Sequence, residues 1–275
     1  MLTEIFVNLT NDITFKFVFS HESLIIDLLL SFFDYIGIHK KIESIRVFKD
    51  YSIYRANLED KVFFGDIVAI LDTEEIVSIE MYTNFGKEEY MKSASYLSRL
   101  FGNQLKKSDT YLKAKKVYSI NFMSGNYYKE NTEVINDYGF VRKIEKPSMA
   151  NEFISMYLIR LDLVKNMVYN KNEKRLIRWL RLMNAKSIDE MKKIGGNDKT
   201  MEQTIAYVDA FLKEEGTTFQ DKINYEKNKS HEEGFNEGIK ENAIEIARNL
   251  LKTELKIDDI AKATGLSKQE IEALK

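Results

Sequence analysis

The chain has 275 residues, 44% hydrophobic and 31% charged, with a formal net charge of −2, which is enough apolar material for a large buried core and lacks the bias of disordered or fibrous chains. The absence of cysteine excludes disulfides, thiolate-bound zinc and thiol nucleophiles and fits a reducing cytoplasm. No apolar run approaches the ~20 residues of a membrane-spanning helix, and Met1–Leu9 is too short for a signal peptide, so neither a membrane partner nor export is expected.

Asn11-Asp12 can cap a short helix from Ile13, with Phe15 and Phe19 on its apolar side. Glu22–Tyr35 predicts a second helix, apolar almost all round and so covered on most sides. Glu43–Tyr54 alternates weakly, as a first strand does. Val62–Leu71 and Ile76–Tyr82 are β-branched and aromatic runs separated by Asp72–Glu75, the pattern of a hairpin. A long helix follows over Lys87–Lys106, with Met91, Tyr96, Leu100 and Leu105 as its inner stripe. Lys116–Met123 is a strand with a Gly125-Asn126 turn behind it. Glu133–Lys146 and Ser155–Leu163 predict two more strands, divided by Pro147, the one proline. From Asn172 to Lys213 the periodicity is helical, broken at Gly195-Gly196-Asn197. This order predicts an α/β class with a mixed β-sheet.

The hairpin carries the chemistry. A symmetric turn pairs position 70 with 76, 68 with 78 and 66 with 80, so Asp66 and Glu80 face each other with Cβ atoms roughly 5 Å apart. Asp66 lies among Phe63, Phe64, Ile67 and Val68, where an unpaired charge is costly. Opposed like charges in such a setting call for a cation between them. The plain alternative is that either acid is a solvent-facing strand residue, and one residue of slip would turn one carboxylate to the other face.

Charge is also segregated. Lys87–Lys116 and Lys171–Lys193 each carry eight Lys/Arg against three acids, whereas Glu214–Glu245 carries nine acids against four lysines. Two basic segments around a carboxylate pair suit a phosphate-backbone substrate, although a solvated helix face gives the same pattern. We expect residues 1–212 as one domain, with a helical part from about 172. Residues 213–275 then form a polar linker, with Gly234 and Gly238 repeating, and a small helix-turn-helix-like hairpin. In that hairpin Gly265 sits at the turn and Ser267 caps a second helix from Lys268. Such a hairpin can read DNA, pack or dimerise.

With these residues placed, the chain resembles the PD-(D/E)XK nuclease superfamily, and within it the Rpn (recombination-promoting nuclease) and transposase-like branch. Asn11-Asp12-Ile13-Thr14-Phe15-Lys16 with Phe19 resembles the branch's opening motif, and Gly65-Asp66 with Ile79-Glu80-Met81 its two catalytic strands. Tyr96, Gln104-Leu105, Tyr111 and Trp179 fall in matching places. The tail likeness runs through Ile260-Ala261 and Thr264–Ser267. The resemblance implies a restriction-endonuclease-like core flanked by helices, with a helical C-terminal extension. It also implies DNA as partner, and a homodimer is compatible with it. Its activity would be Mg²⁺-dependent (or Mn²⁺-dependent) hydrolysis of DNA. Asp66 and Glu80 would bind the metal, and Asp12 would match the acid that often completes such sites. Where the motif has Lys or Gln, this chain has Tyr82, on the same strand face as Glu80. Lys92 can supply the missing ammonium from the long helix or be an exposed helix lysine; Lys16 matches the motif and can pair with Asp12.

Overall fold

Among the described residues six strands hydrogen-bond into one mixed sheet in the order β1-β2-β3-β4-β6-β5. They are β1 (Ile45–Ile53), β2 (Phe63–Leu71), β3 (Ile76–Tyr82), β4 (Val117–Met123), β5 (Ile135–Gly139) and β6 (Ile154–Arg160). This is a computed structural model. It describes residues 8–53, 63–125, 133–139, 153–165, 167–168, 170, 172–215, 243–244, 246–251 and 255–274. Asn126, Pro147, the strand expected over 140–146 and the Gly234/Gly238 repeat lie outside the described residues. The chain divides into two compact units, Met1–Glu214 and Glu215–Lys275.

In the first unit β1, β2 and β3 are antiparallel neighbours, and β3, β4 and β6 run parallel. Parallel neighbours need a crossover, and between β3 and β4 it is helix α3 (Lys87–Gly102). Alternation splits the sheet into two packed faces. Ile67, Val77, Ile79, Ile120 and Phe122 belong to a large core together with α1 (Asp12–Val18), α2 (Glu22–Tyr35) and α5 (Arg175–Asn184). Val68, Met123, Met156 and Leu158 pack on Tyr96, Leu97 and Leu100 of α3 instead.

Asn11 caps α1 through its side chain, accepting from the backbone N–H groups of Ile13 and Thr14, so the helix starts one residue earlier than the expected Ile13. α2 is buried along Leu24, Ile25, Leu28, Leu29, Phe32 and Phe33. The acid inside it, Asp27, is partnered: Trp179 Nε1 donates at 2.7 Å and Arg175 Nε at 2.9 Å. Arg175 also grips Asp198, which ties α2 and α5 to α7 (Lys199–Glu215).

Two expectations are corrected. The buried stripe of α3 is Ser93, Tyr96, Leu97 and Leu100, an i, i+3, i+4, i+7 series. Met91 is 55% exposed, being half a turn off that series, and Leu105 lies beyond the helix end. The run expected as strand over Ser155–Leu163 turns helical after Arg160, giving α4 (Leu161–Lys165). Arg160 bonds Asp162 through both Nε and Nη2, at 3.0 and 2.6 Å, across that junction. A short apolar run does not distinguish the two states by periodicity. α6 (Ile188–Gly195) ends at the expected break, where Gly196 has φ +58°.

The second unit shows α8 (Ile257–Thr264) and α9 (Lys268–Glu272), joined by Gly265 at φ +74°, a conformation glycine adopts without penalty. Ser267 and Glu270 form a reciprocal cap. Ala243, Ala247, Ile260, Leu266 and Ile271 make its small core. No described helix of either unit is long and apolar enough to cross a membrane.

Candidate active site

The β2–β3 register is Ile67 with Ile79, Val68 with Ser78, Ala69 with Val77 and Ile70 with Ile76. That is the pairing expected from the turn, and its continuation sets Asp66 opposite Glu80. The two acids interlock through the backbone. Asp66 N–H points at Glu80 Oε2 at 3.4 Å, and Met81 N–H donates to Asp66 Oδ2 at 3.0 Å. Ser78, two residues back on the same face, donates to Glu80 Oε1 at 2.9 Å. Glu80 is 4% exposed. Burial, and then the neighbouring Asp66 charge, push its carboxyl up to about 8. Asp66 is also held above the usual carboxylate range, first by burial and then by Asp12, with Lys16 and the Met81 N–H opposing.

Among the described residues, the ammonium of Lys16 contacts Asp66. Lys16, on α1, lies 3.3 Å from Asp66 Oδ1, 3.0 Å from Asp12 Oδ2 and 2.7 Å from Asp50 Oδ1. Its pKa is raised: burial opposes the charge, but the three acids outweigh it. Asp12, named from sequence as a metal ligand, is thus joined to Asp66 through Lys16. Asp50 was not anticipated. It stands in β1 between the Lys49–Ile67 and Tyr51–Gly65 pairs, opposite Asp66, with φ +48°. A non-glycine residue held there is strained and worth a functional look.

Gly65 has a steric reason. A Cβ at this position would lie 2.3 Å from Tyr96 Oη and 2.7 Å from its Cζ. The Tyr96 ring therefore lies directly on the strand beside Asp66, and its hydroxyl donates to Tyr51 O at 3.1 Å.

Tyr82 points to the Glu80 face but is engaged elsewhere. Asn121 Nδ2 donates to Ser119 Oγ and Tyr157 O, which leaves Asn121 Oδ1 to accept from Ser93 Oγ at 3.0 Å. Ser93 has one hydroxyl hydrogen, so in the 3.0 Å contact between Tyr82 Oη and Ser93 Oγ the phenol is the donor. Burial, then the Glu80 charge, raise the Tyr82 pKa well above that of a free phenol. Such a group holds its proton at neutral pH and is not a general base. Lys92 lies with Nζ 5.8 Å from the Tyr82 ring centre, and its charge reaches Glu80 through space. Tyr82, Asn84, Glu89 and Lys92 line an open hollow of about 550 Å³, whose lining includes neither Asp66 nor Glu80.

The donor set is all-oxygen. Among the described residues no three metal-ligating side chains converge as a ready cage; Asp66 and Glu80 are the pair that the sheet itself holds together. Ser93 and Asn121 were not visible from sequence, because small polar residues in apolar runs carry no periodic signal.

Residues 9–233 match the family described as PD-(D/E)XK nuclease family transposase. Residues 240–275 match the C-terminal HTH domain of the Rpn/YhgA-like nuclease family. Neither the curated proteins nor the solved structures contain a match.

Proposed function

The chain belongs to the PD-(D/E)XK nuclease family transposases, in its Rpn-like branch, and from that premise we propose that it is a cytoplasmic, divalent-metal-dependent endonuclease hydrolysing DNA phosphodiester bonds. The observation that supports this best is the opposed Asp66–Glu80 pair, both carboxyls raised first by burial and then by a neighbouring acid, Asp12 for Asp66 and Asp66 for Glu80. A buried carboxylate beside a partly buried one suits a hard cation such as Mg²⁺ or Mn²⁺. Asp66 and Glu80 would hold it, and Asp12, whose charge already acts on Asp66, is the third candidate. When bound, the ion would acidify an attacking water and neutralise charge developing on the phosphate. Ser78 and the Asp66 N–H fix the rotamer of Glu80, so its oxygens are aimed before substrate arrives. Lys16 supplies the positive charge that position 82 lacks, and Lys92 adds a more distant one. The helix-turn-helix unit matched at 240–275 supports DNA as the partner.

Plasmid incubated with Mg²⁺ or Mn²⁺ should be nicked or linearised, with a chelator stopping the reaction. Asp66→Ala and Glu80→Ala should each abolish it, and cleavage that survives both changes would refute the site.

A second reading has its own observation. The Tyr82 phenol donates to Ser93, so the chain can be a nuclease fold that binds DNA without turnover. That reading predicts salt-sensitive DNA binding and no cleavage in any divalent metal. Under it, Tyr82→Lys should create cleavage where the native chain has none.

A further inference from the structure

Between the end of α3 and the start of β4 the chain makes a tightly fastened loop that the site does not use. The Gln104 carboxamide exchanges two hydrogen bonds with the Lys115 backbone, each 2.9 Å. Asp109 accepts from the Lys106 N–H and from Lys113 Nζ, both at 2.8 Å. These bonds hold a 3₁₀ turn, Tyr111–Lys113, whose Tyr111 and Leu112 are 89% and 95% exposed. Two large apolar side chains fixed in water add nothing to the core. Lys106, Lys107, Lys113 and Lys115 are exposed around them, and the loop's only acid, Asp109, is committed to the turn.

Resting on the reading that the chain handles DNA, we propose that this loop is a second nucleic-acid contact. Tyr111 and Leu112 lie against unstacked bases, and the lysines lie along the phosphates. An aromatic platform among cations is how unpaired bases are held, and an apolar wedge is how base steps are opened. A protein partner fits less well, because lysine is depleted at protein interfaces and two side chains make a small apolar patch. The reach is right for one bound molecule. Val117, where the loop rejoins the sheet, pairs with Ile76, and Asn121 pairs with Glu80. At about 3.3 Å per residue the loop's base lies roughly 13 Å along the strands from the acids, within half a duplex turn of about 17 Å.

The test uses the full chain in EDTA with fluorescent 20-mers, single-stranded, bulged and fully paired. Tyr111→Ala should weaken binding to single-stranded and bulged DNA by about 5- to 150-fold, the range for one base stacked on an aromatic ring, and Leu112→Ala should weaken it as well. Tyr111→Phe should bind as wild type, and all three should melt as wild type. Lys107→Gln should lower the slope of log affinity against log salt by about 0.7 for single strands. The 240–275 unit can bind DNA independently, so bromouracil-substituted DNA should also be photo-cross-linked to the wild-type chain, with the adduct mapping to Tyr111 or Leu112. Unchanged affinities together with adducts only elsewhere would overturn the proposal. So would self-association that Leu112→Asp alone disrupts, which would make the loop a protein interface. Wild-type chain that binds no DNA in EDTA and cleaves none with Mg²⁺ or Mn²⁺ removes the nuclease reading along with this one, whereas binding and cleavage indifferent to Tyr111 and Leu112 remove only this one.

Discussion

Replacing Gly65 with alanine tests how the strand beside Asp66 is packed. The added Cβ would stand 2.3, 2.7 and 2.8 Å from Tyr96 Oη, Cζ and Cε1, against a comfortable carbon contact of about 3.5 Å or more. Tyr96 is buried with Leu97 and Leu100 against the sheet, so the ring cannot swing aside without moving its neighbours. Overpacking of this kind costs about 1–3 kcal/mol. A ring that moves also gives up its bond to Tyr51 O, roughly 1 kcal/mol more. Together these predict a loss of about 2–4 kcal/mol, or a fall in Tm of roughly 4–16 °C for a domain of this size. Denaturant melts would measure it. Tyr96→Leu should relieve the clash, so a cycle with Gly65→Ala should show a favourable coupling of at least about 1 kcal/mol. A Gly65→Ala protein within about 0.5 kcal/mol of wild type, or two strictly additive changes, would refute the packing argument.

Glu80→Gln should abolish cleavage and yet raise the Tm of the protein in EDTA at pH 7: with its folded pKa pushed up to about 8, Glu80 must take up a proton to stay buried beside Asp66, a cost of about 1–3 kcal/mol that is present above its unfolded pKa and that glutamine does not carry; a fall in Tm would contradict the account of the acid pair. Asp198 caps α7, accepting from the Thr200 and Met201 N–H groups at 3.1 and 3.2 Å, and Arg175 holds its carboxyl below the ordinary range. A depressed carboxyl stabilises the fold at pH values above its unfolded pKa, and that stability is lost as pH falls through the folded value. Asp198→Asn should therefore cost about 1–3 kcal/mol at pH 7 and flatten the decline in Tm below about pH 4. Lys16→Met should lower cleavage at saturating metal by roughly 100-fold and Lys92→Met by less than about tenfold, since only the former touches a strand carboxylate; single-turnover rates in the opposite order would assign the ammonium to Lys92.

Much of the fold was legible because a few elements carry an unmistakable period. α2 and β3 have the expected bounds, and the break after α6 falls at its glycine pair. The hairpin register followed from turn length, and one face of that hairpin is buried deeply enough to penalise slippage. Legibility failed where side chains of the wrong apparent class do the packing. Ser93 is buried on α3 while Met91 is exposed, because a hydroxyl can enter a core when Asn121 waits to accept its proton. The turn from β6 into α4 is fixed by Arg160 and Asp162, two charges that hydropathy reads only as polar.

The charge arrangement around Asp66 was the least legible part, for a reason specific to ammonium groups. A lysine's charge sits at the end of four methylenes, so the residue that neutralises a site need not be its neighbour in sequence. Position 82 was the place where the motif led one to look, and there the side chain is a phenol committed to Ser93. The cation arrives instead from α1, some fifty residues upstream of Asp66, and it arrives with company. Asp12 and Asp50 share it, and each raises the pKa of Lys16 while Asp12 also raises that of Asp66. Of these acids, only Asp12 carried a sequence signal, through the opening motif. Asp50 carried none, because its left-handed backbone, the one feature that sets it apart within β1, is visible only once the strand is paired.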